Sequence, residues 1–222
     1  VAILATGDEL VMPGETPRAD QIVASNSFAI AAMVEAAGGE ARMLPIARDS
    51  EASLRHAFSL AEGADVIVTI GGASVGDHDH VGRVAQDLGL TQNFWKIAMR
   101  PGKPLMAGRL GPAVMLGLPG NPVSAIVCAR LFLVPLLDHL QGLPARHDTR
   151  RARLAGDVAA NGARTHYMRA RLATGDGLPE IAALNNQDSA LLTVLAQADA
   201  LLIRPVGDGP RKAGEVVDYL PL

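Results

Sequence analysis

Aromatic side chains are scarce in this chain, at 3% of residues, so Ala, Val, Leu and Ile must fill whatever core it builds. Cysteine is scarcer still. Cys128 stands alone, which excludes an internal disulfide and suits a reducing compartment. It falls in an apolar helical stretch, where a thiol packs more often than it reacts. No apolar run reaches the roughly 20 residues that a membrane span needs. The longest, 123–137, is interrupted by Arg130 and Pro135. The first residues carry no basic flank and no leader-like run. Cations do not gather in a block large enough for a nucleic-acid footprint, and the formal net charge is −3. The basic stretch 146–153 reads as a solvated linker. These absences lead us to expect a soluble, cytoplasmic protein with neither nucleic acid nor membrane as partner. The chain opens on Val1 and enters a strand at once, so we expect sequence upstream of it.

What remains is ample material for a core: 222 residues, 49% hydrophobic. That length allows one large domain, or one domain and a smaller companion. Short apolar runs at 1–6, 41–46 and 65–70 read as buried strands. So do 94–99, 105–108 and 113–118. Helices are expected at 22–37, 50–62 with Asp49 or Ser50 as cap, 79–88 and 122–140. The segment 7–20 reads as a long loop. Strands alternating with helices imply a mostly parallel sheet covered on both faces, a three-layer α/β/α domain over 1–145. Residues 141–151 look like a linker. Beyond them, 164–173, 200–204 and 215–220 read as strands, with a turn at 175–177 and a short helix within 189–197. We therefore expect a small, mostly-β domain over 146–222.

Ligands of open α/β sheets bind beyond the carboxyl ends of the strands, and the polar loops lie there. Gly71-Gly72-Ala73-Ser74-Val75-Gly76 follows a buried strand; it either offers backbone N–H groups to an anion or simply turns the chain. It lacks the Lys-Ser/Thr of a P-loop and the spacing of a dinucleotide fingerprint. In Pro119-Gly120-Asn121-Pro122, Asn121 suits a helix cap and Pro122 the first helical position. The same helix end also favours an anion. Arg100-Pro101-Gly102-Lys103-Pro104 holds two cations in a rigid turn, with Lys96 just before it. Asp8, Glu9, Asp49 and Asp79 fall in loops of the same edge, where Mg²⁺ could take one or two carboxylates together with substrate phosphates. Each acid could equally cap a helix or brace a turn. Asp77-His78-Asp79-His80 lacks the third ligand that zinc wants. Asn26 either bonds a loop backbone or reaches the ligand.

Taken in order, several strings resemble the carboxyl-terminal half of the molybdopterin molybdenumtransferases, the MoeA and gephyrin E-domain family. They are Thr6-Gly7-Asp8-Glu9-Leu10, Asn26, Arg48-Asp49, the 71–79 glycine loop ending in Asp79, Phe94-Trp95-Lys96, Pro101-Gly102-Lys103-Pro104, and Gly117-Leu118-Pro119-Gly120-Asn121-Pro122-Val123-Ser124. The match is strong to about residue 140 and thinner at Tyr167-Met168-Arg169 and Gln187-Asp188-Ser189. The resemblance implies a MogA/MoaB-like fold for the first domain. It also implies a reaction: Mg²⁺-dependent insertion of molybdate into adenylylated molybdopterin, with release of AMP. By position, it assigns Glu9, Asp49 and Asp79 to metal and molybdate chemistry, with Asp8 and Thr6-Gly7 beside them. Gly71, Gly72, Ser74 and Gly76 take the pterin-phosphate loop. Lys96 and Lys103 stand near molybdate or phosphate, Pro119 to Pro122 line that pocket, and Arg169 and Ser189 face the cleft from the small domain. Arg100 stands where the family commonly has Lys, which keeps the charge and changes the geometry. The family's N-terminal domains are absent, so slow or no turnover is expected. The 122–140 helix is apolar nearly all round, which argues for a homodimer. Two other readings stay open: a molybdopterin adenylyltransferase, which shares the α/β domain, and a gephyrin-like peptide-binding scaffold.

Overall fold

The computed structural model describes residues 1–72, 80–144, 148–174 and 177–222. They fall into two compact units, one of residues 1–97 with 104–145, the other of 98–103 with 146–222.

In chain order the first unit begins with β1 (Ala2–Ala5), β2 (Leu10–Val11), β3 (Ile22–Val23) and α1 (Asn26–Ala36). Then come β4 (Arg42–Met43), α2 (Glu51–Leu60), β5 (Val66–Ile70), α3 (His80–Asp87) and β6 (Thr91–Trp95). The chain leaves to form β7 (Met99–Arg100) in the other unit. It returns as β8 (Met106–Leu110) and β9 (Ala113–Leu118), and ends in α4 (Pro122–Cys128) and α5 (Val134–Leu140). The main sheet runs β4-β1-β5-β9-β8-β6. Its first four strands are parallel; β8 and β6 add antiparallel pairings. The sheet is mostly parallel, as expected, with an antiparallel edge at β8 and β6, because a tight turn joins β8 to β9 where a crossover would be needed for parallel pairing.

Helices cover both faces. Ala2, Leu4, Ile67 and Met115 share a cluster with Leu54 and Phe58 of α2 and Val81 and Val84 of α3. Their strand neighbours Ile3, Val66 and Val68 point the opposite way, toward the side where α1 touches β1 and α4 touches β9. The helix expected at 22–37 starts only at Asn26, since Ile22 and Val23 pair with Leu10 and Val11 inside what the sequence presents as a loop. The 122–140 helix is continuous but contains a π turn, Ala129–Leu133. Pro135 supplies no N–H and its ring crowds the carbonyl four residues back, at Leu131, and a wider turn relieves that clash. This helix is long and apolar enough to cross a membrane by composition, yet 56% of its apolar window is buried in the protein. Burial also pushes the Cys128 thiol up to about 12, which leaves it protonated and inert.

The second unit continues with β10 (Arg150–Leu154), β11 (Thr165–Ala173), β12 (Glu180–Ala183), α6 (Leu192–Leu195), β13 (Ala200–Arg204) and β14 (Val216–Pro221). Its sheet runs β12-β10-β14-β13-β11-β7, and β12 also pairs with β11, closing a five-strand barrel. Ala152, Leu154, Ala170, Ile181, Leu202 and Tyr219 fill it. The small domain expected from residue 146 therefore also draws in 98–103, because Met99 and Arg100 pair with Thr165 and His166 of β11.

Candidate functional site

The strand directions decide which loops meet in the first unit. β4, β1, β5 and β9 are parallel, so their carboxyl ends share one edge. β6 is antiparallel to β8, which is antiparallel to β9, so Lys96 emerges at that same edge. Neighbouring strands lie about 4.8 Å apart, which puts the end of β6 about 19 Å along the edge from the end of β1.

At the β4–β1 end the loops are tied together. Gly7 N–H donates to Ala47 O at 3.1 Å. The Asp49 N–H donates to Asp8 Oδ1 at 3.2 Å, and Arg48 Nη1 donates to the carbonyls of Asp8 and Leu10 at 3.1 and 3.2 Å. Arg48 is a residue whose role spacing alone does not show: it pins the loop that carries Asp8 and Glu9. Ser50 caps α2 by accepting the Ser53 N–H, so Asp49 is not spent as a cap. The carboxylate of Glu9 folds over Gly7, where a Cβ would meet it, and the Gly7 φ of 148° is one that side-chain-bearing residues rarely adopt. Asp8, Glu9 and Asp49 are all exposed. Among the described residues no group of three or more His, Cys, Asp or Glu could hold a metal by itself.

At the centre, Thr6 N–H donates to Ile70 O and Gly71 N–H to Leu118 O, at 3.0 and 3.1 Å. The backbone is packed closely there. A Cβ on Gly71 would lie 2.8 Å from Thr6 O, and Gly71 has φ 89°. Gly72, at φ 66°, would drive a Cβ into Val81. The Thr6 hydroxyl is buried, with no hydrogen-bond partner among the described residues. Asn26 Nδ2 donates to Gly120 O at 2.7 Å, so it braces the 119–122 turn. Asn121 occupies the N-cap position of α4 but makes no side-chain capping bond. Ser74, Gly76 and Asp79, expected in the phosphate loop and the acid set, lie outside the described residues. Lys96 has a left-handed backbone, φ 70°, unusual for a residue with a side chain. Its ammonium rests 3.9 Å from the centre of the Trp95 ring.

This close approach gives a direct check. Gly71→Ala combines left-handed strain with a backbone clash and should cost about 2–4 kcal/mol. Gly120→Ala meets only Gly71 Cα at 3.6 Å and should be nearly neutral. Urea unfolding followed by Trp95 fluorescence compares the two, and equal stability would mean that the loops do not meet this tightly.

In the second unit a different chemistry is assembled. Arg169 is fully buried. Its Nη2 donates to the carbonyls of Asn186 and Asp188 at 3.4 and 3.1 Å, while Nε and Nη1 find no partner among the described residues. Burial, and then the nearby Arg100, lower its pKa. Arg100 lies on β7, and Lys103 is exposed at the end of the same segment, after the buried Pro101 and Gly102. Ser189 follows Asp188 in the loop that accepts from Arg169. His166, which the sequence gives no reason to single out, lies across from Arg100 in the β11–β7 register.

A family model described as "Probable molybdopterin binding domain" matches residues 2–139, and one described as "MoeA C-terminal region (domain IV)" matches 151–222. This chain belongs to the MoeA family. The Molybdopterin molybdenumtransferase of Nostoc sp. is 36% identical over 229 residues, which cover 100% of this chain and 52% of the relative. The protein of that name from Haemophilus influenzae is 43% identical over 143 residues, covering 64% and 35%. The crystal structure of a MoeA molybdopterin biosynthesis protein from Pyrococcus horikoshii superposes with a TM-score of 0.84 at 28% identity, over 99% of this chain and 53% of that one. This MoeA-family chain spans about half the length of those relatives it matches from end to end.

Proposed function

We propose that this chain is the ligand-binding half of a molybdopterin molybdenumtransferase, which inserts molybdate into adenylylated molybdopterin and releases AMP. The observation that carries the reading is Arg169. A buried guanidinium with two unpartnered donors is costly, and a tetrahedral oxyanion such as molybdate repays that cost with charge-assisted bonds. Arg100 and Lys103, in the same unit, add positive charge, and Ser189 adds a hydroxyl. In the first unit the Thr6 hydroxyl and the Gly72 N–H suit phosphate and pterin polar atoms. The roughly 19 Å of edge between the ends of β1 and β6 suits a substrate as long as an adenylylated pterin.

Hard oxygen donors at Glu9 and Asp49, with Asp8 bracing them, fit Mg²⁺ held by one or two carboxylates and substrate phosphates. Asp79 is the proposed third acid. When bound, Mg²⁺ would neutralise charge on the scissile phosphate. The half-buried Ile126, Leu131, Phe132 and Leu136 on the 122–140 helix suit a second copy of the chain, which light scattering would detect as a dimer.

Molybdate titrations test the oxyanion assignment. Lys103→Ala should weaken binding about 3- to 10-fold and Arg100→Ala less, both effects shrinking between low and high salt because these charges are exposed. Unchanged affinity in Lys103→Ala would remove that residue from the site. AMP release from adenylylated molybdopterin, with Mg²⁺ and molybdate present, tests the reaction itself on this chain and on a version joined to the family's N-terminal domains; if that longer protein binds both substrates and never releases AMP, the transferase reading fails.

A further inference from the structure

The strand register of the second unit sets three basic side chains in one row. His166 on β11 lies opposite Arg100 on β7 and opposite Arg204 on β13. Like charges across neighbouring strands repel, so the row must be neutralised somewhere. Arg204 is satisfied: Nε donates to Asp208 Oδ2 and Nη2 to Gly209 O, each at 2.6 Å. Asp208 is committed further, to Arg211 at 2.8 Å. Arg100 has no ion pair among the described residues. Arg164 stands just before β11 and Arg169 within it on the opposite face of the strand, and both add positive potential at His166, with Asp208 the acid on the Arg204 side. His166 is 7% exposed, and its Nε2 is buried without a hydrogen-bond partner among the described residues. Burial first, then Arg100, Arg169, Arg164 and Arg204, hold the imidazole neutral, with its pKa down to about 4 from 6.5.

We infer that His166 is a proton-coupled member of the oxyanion site: an anion bound at Arg100 draws a proton from solvent onto the imidazole, so affinity rises as pH falls. This rests on the oxyanion reading above. The physical cause is reciprocal. A dianion cancels the cationic field that keeps the ring neutral, and a protonated ring returns the favour as a second N–H donor and a positive charge. Desolvation remains, so the pKa climbs only part of the way back. The full return from about 4 to 6.5 would raise affinity about 30-fold between pH 8 and pH 5, which is the ceiling.

Sulfate is the probe, because it stays a dianion over that range and brings no titration of its own. Calorimetry at pH 5.5, in two buffers with different heats of ionisation, reads protons taken up per sulfate bound. The wild-type chain should take up a substantial fraction of one proton. His166→Gln should take up none, and should bind with the same affinity, within about 2-fold, at pH 5 and pH 8. The His166 Cε1–H resonance of the wild-type protein, assigned by sequential backbone correlation, should shift its titration upward when sulfate is added; this readout does not depend on the variant being stable. Sulfate binding without proton uptake, or with uptake that persists in His166→Gln, overturns the inference and leaves the oxyanion site standing. Failure of sulfate and molybdate to bind at any pH overturns both.

Discussion

Arg169→Met is expected to lose oxyanion binding while the second unit stays folded. Met fills much of the same volume without a charge. The bonds it removes are weak ones, at 3.4 and 3.1 Å to the Asn186 and Asp188 carbonyls. The loop they belong to has other ties. Gln187 accepts the Arg169 N–H through Oε1 and donates through Nε2 to the Arg169 carbonyl, both at 2.9 Å. Removing a buried guanidinium with two unmatched donors offsets the bonds lost, so stability should stay within about 1 kcal/mol of wild type. Binding is different. Losing one partner of a desolvated charge pair costs about 2–5 kcal/mol, at least roughly a 30-fold loss of affinity for molybdate. Calorimetric titration and urea unfolding of the same preparation check both halves. Affinity within 3-fold of wild type would remove Arg169 from the site, and an unfolded variant would make it structural.

Asp208→Ala should do the reverse and strike at the fold. The Asp208 side chain is 8% exposed and that of Arg204 is 2% exposed. Without the carboxylate, a buried guanidinium stands uncompensated beside His166, at a cost of about 3–5 kcal/mol. Tyr167 and Tyr219 both belong to this unit, and Trp95 to the other, so near-ultraviolet dichroism and Trp fluorescence can follow the two separately. A loss under about 1 kcal/mol would mean that the pair behaves like a surface ion pair.

The pH dependence separates the two buried groups. The Arg211 hydrogen bond first, then Arg204, hold the Asp208 carboxyl below its ordinary 3.8. Its stabilisation is therefore complete above about pH 3.8 and lost only as pH falls through the lower folded value. His166 acts earlier. The unfolded imidazole takes a proton near pH 6.5 and the folded one only near 4, so stability declines across that interval as pH falls. His166→Gln should flatten this part of the profile.

Much of the first unit was legible because its strands are short, apolar and bounded by turn residues. β5 and β9 fall where the runs at 65–70 and 113–118 put them. β10 was hidden: Arg150, Arg151 and Arg153 disguise a strand whose inward residues are only Ala152 and Leu154. The run 94–99 looks like one strand and belongs to two, since Phe94 and Trp95 end β6 while Met99 begins β7. Apolar content cannot reveal which sheet a segment will join. The glycines, acids and cations proposed for the site are conspicuous in the sequence by type and spacing. Arg48 and His166 acquire their roles only through residues 38 to 66 positions away in sequence, which no local pattern encodes.

The segment Ala98–Lys103 has a consequence for how this protein can be divided. The chain lends six residues from the middle of its first unit to the sheet of its second, then takes the thread back. A fragment cut at the linker would leave β11 with a bare flank and would carry Arg169 without Arg100. The upstream fragment would keep that strand with nothing to pair it. Protease nicking in the linker, circular permutation and module swapping at that point therefore all split a shared hydrogen-bonded seam. The second unit is completed by residues synthesised well before the rest of it.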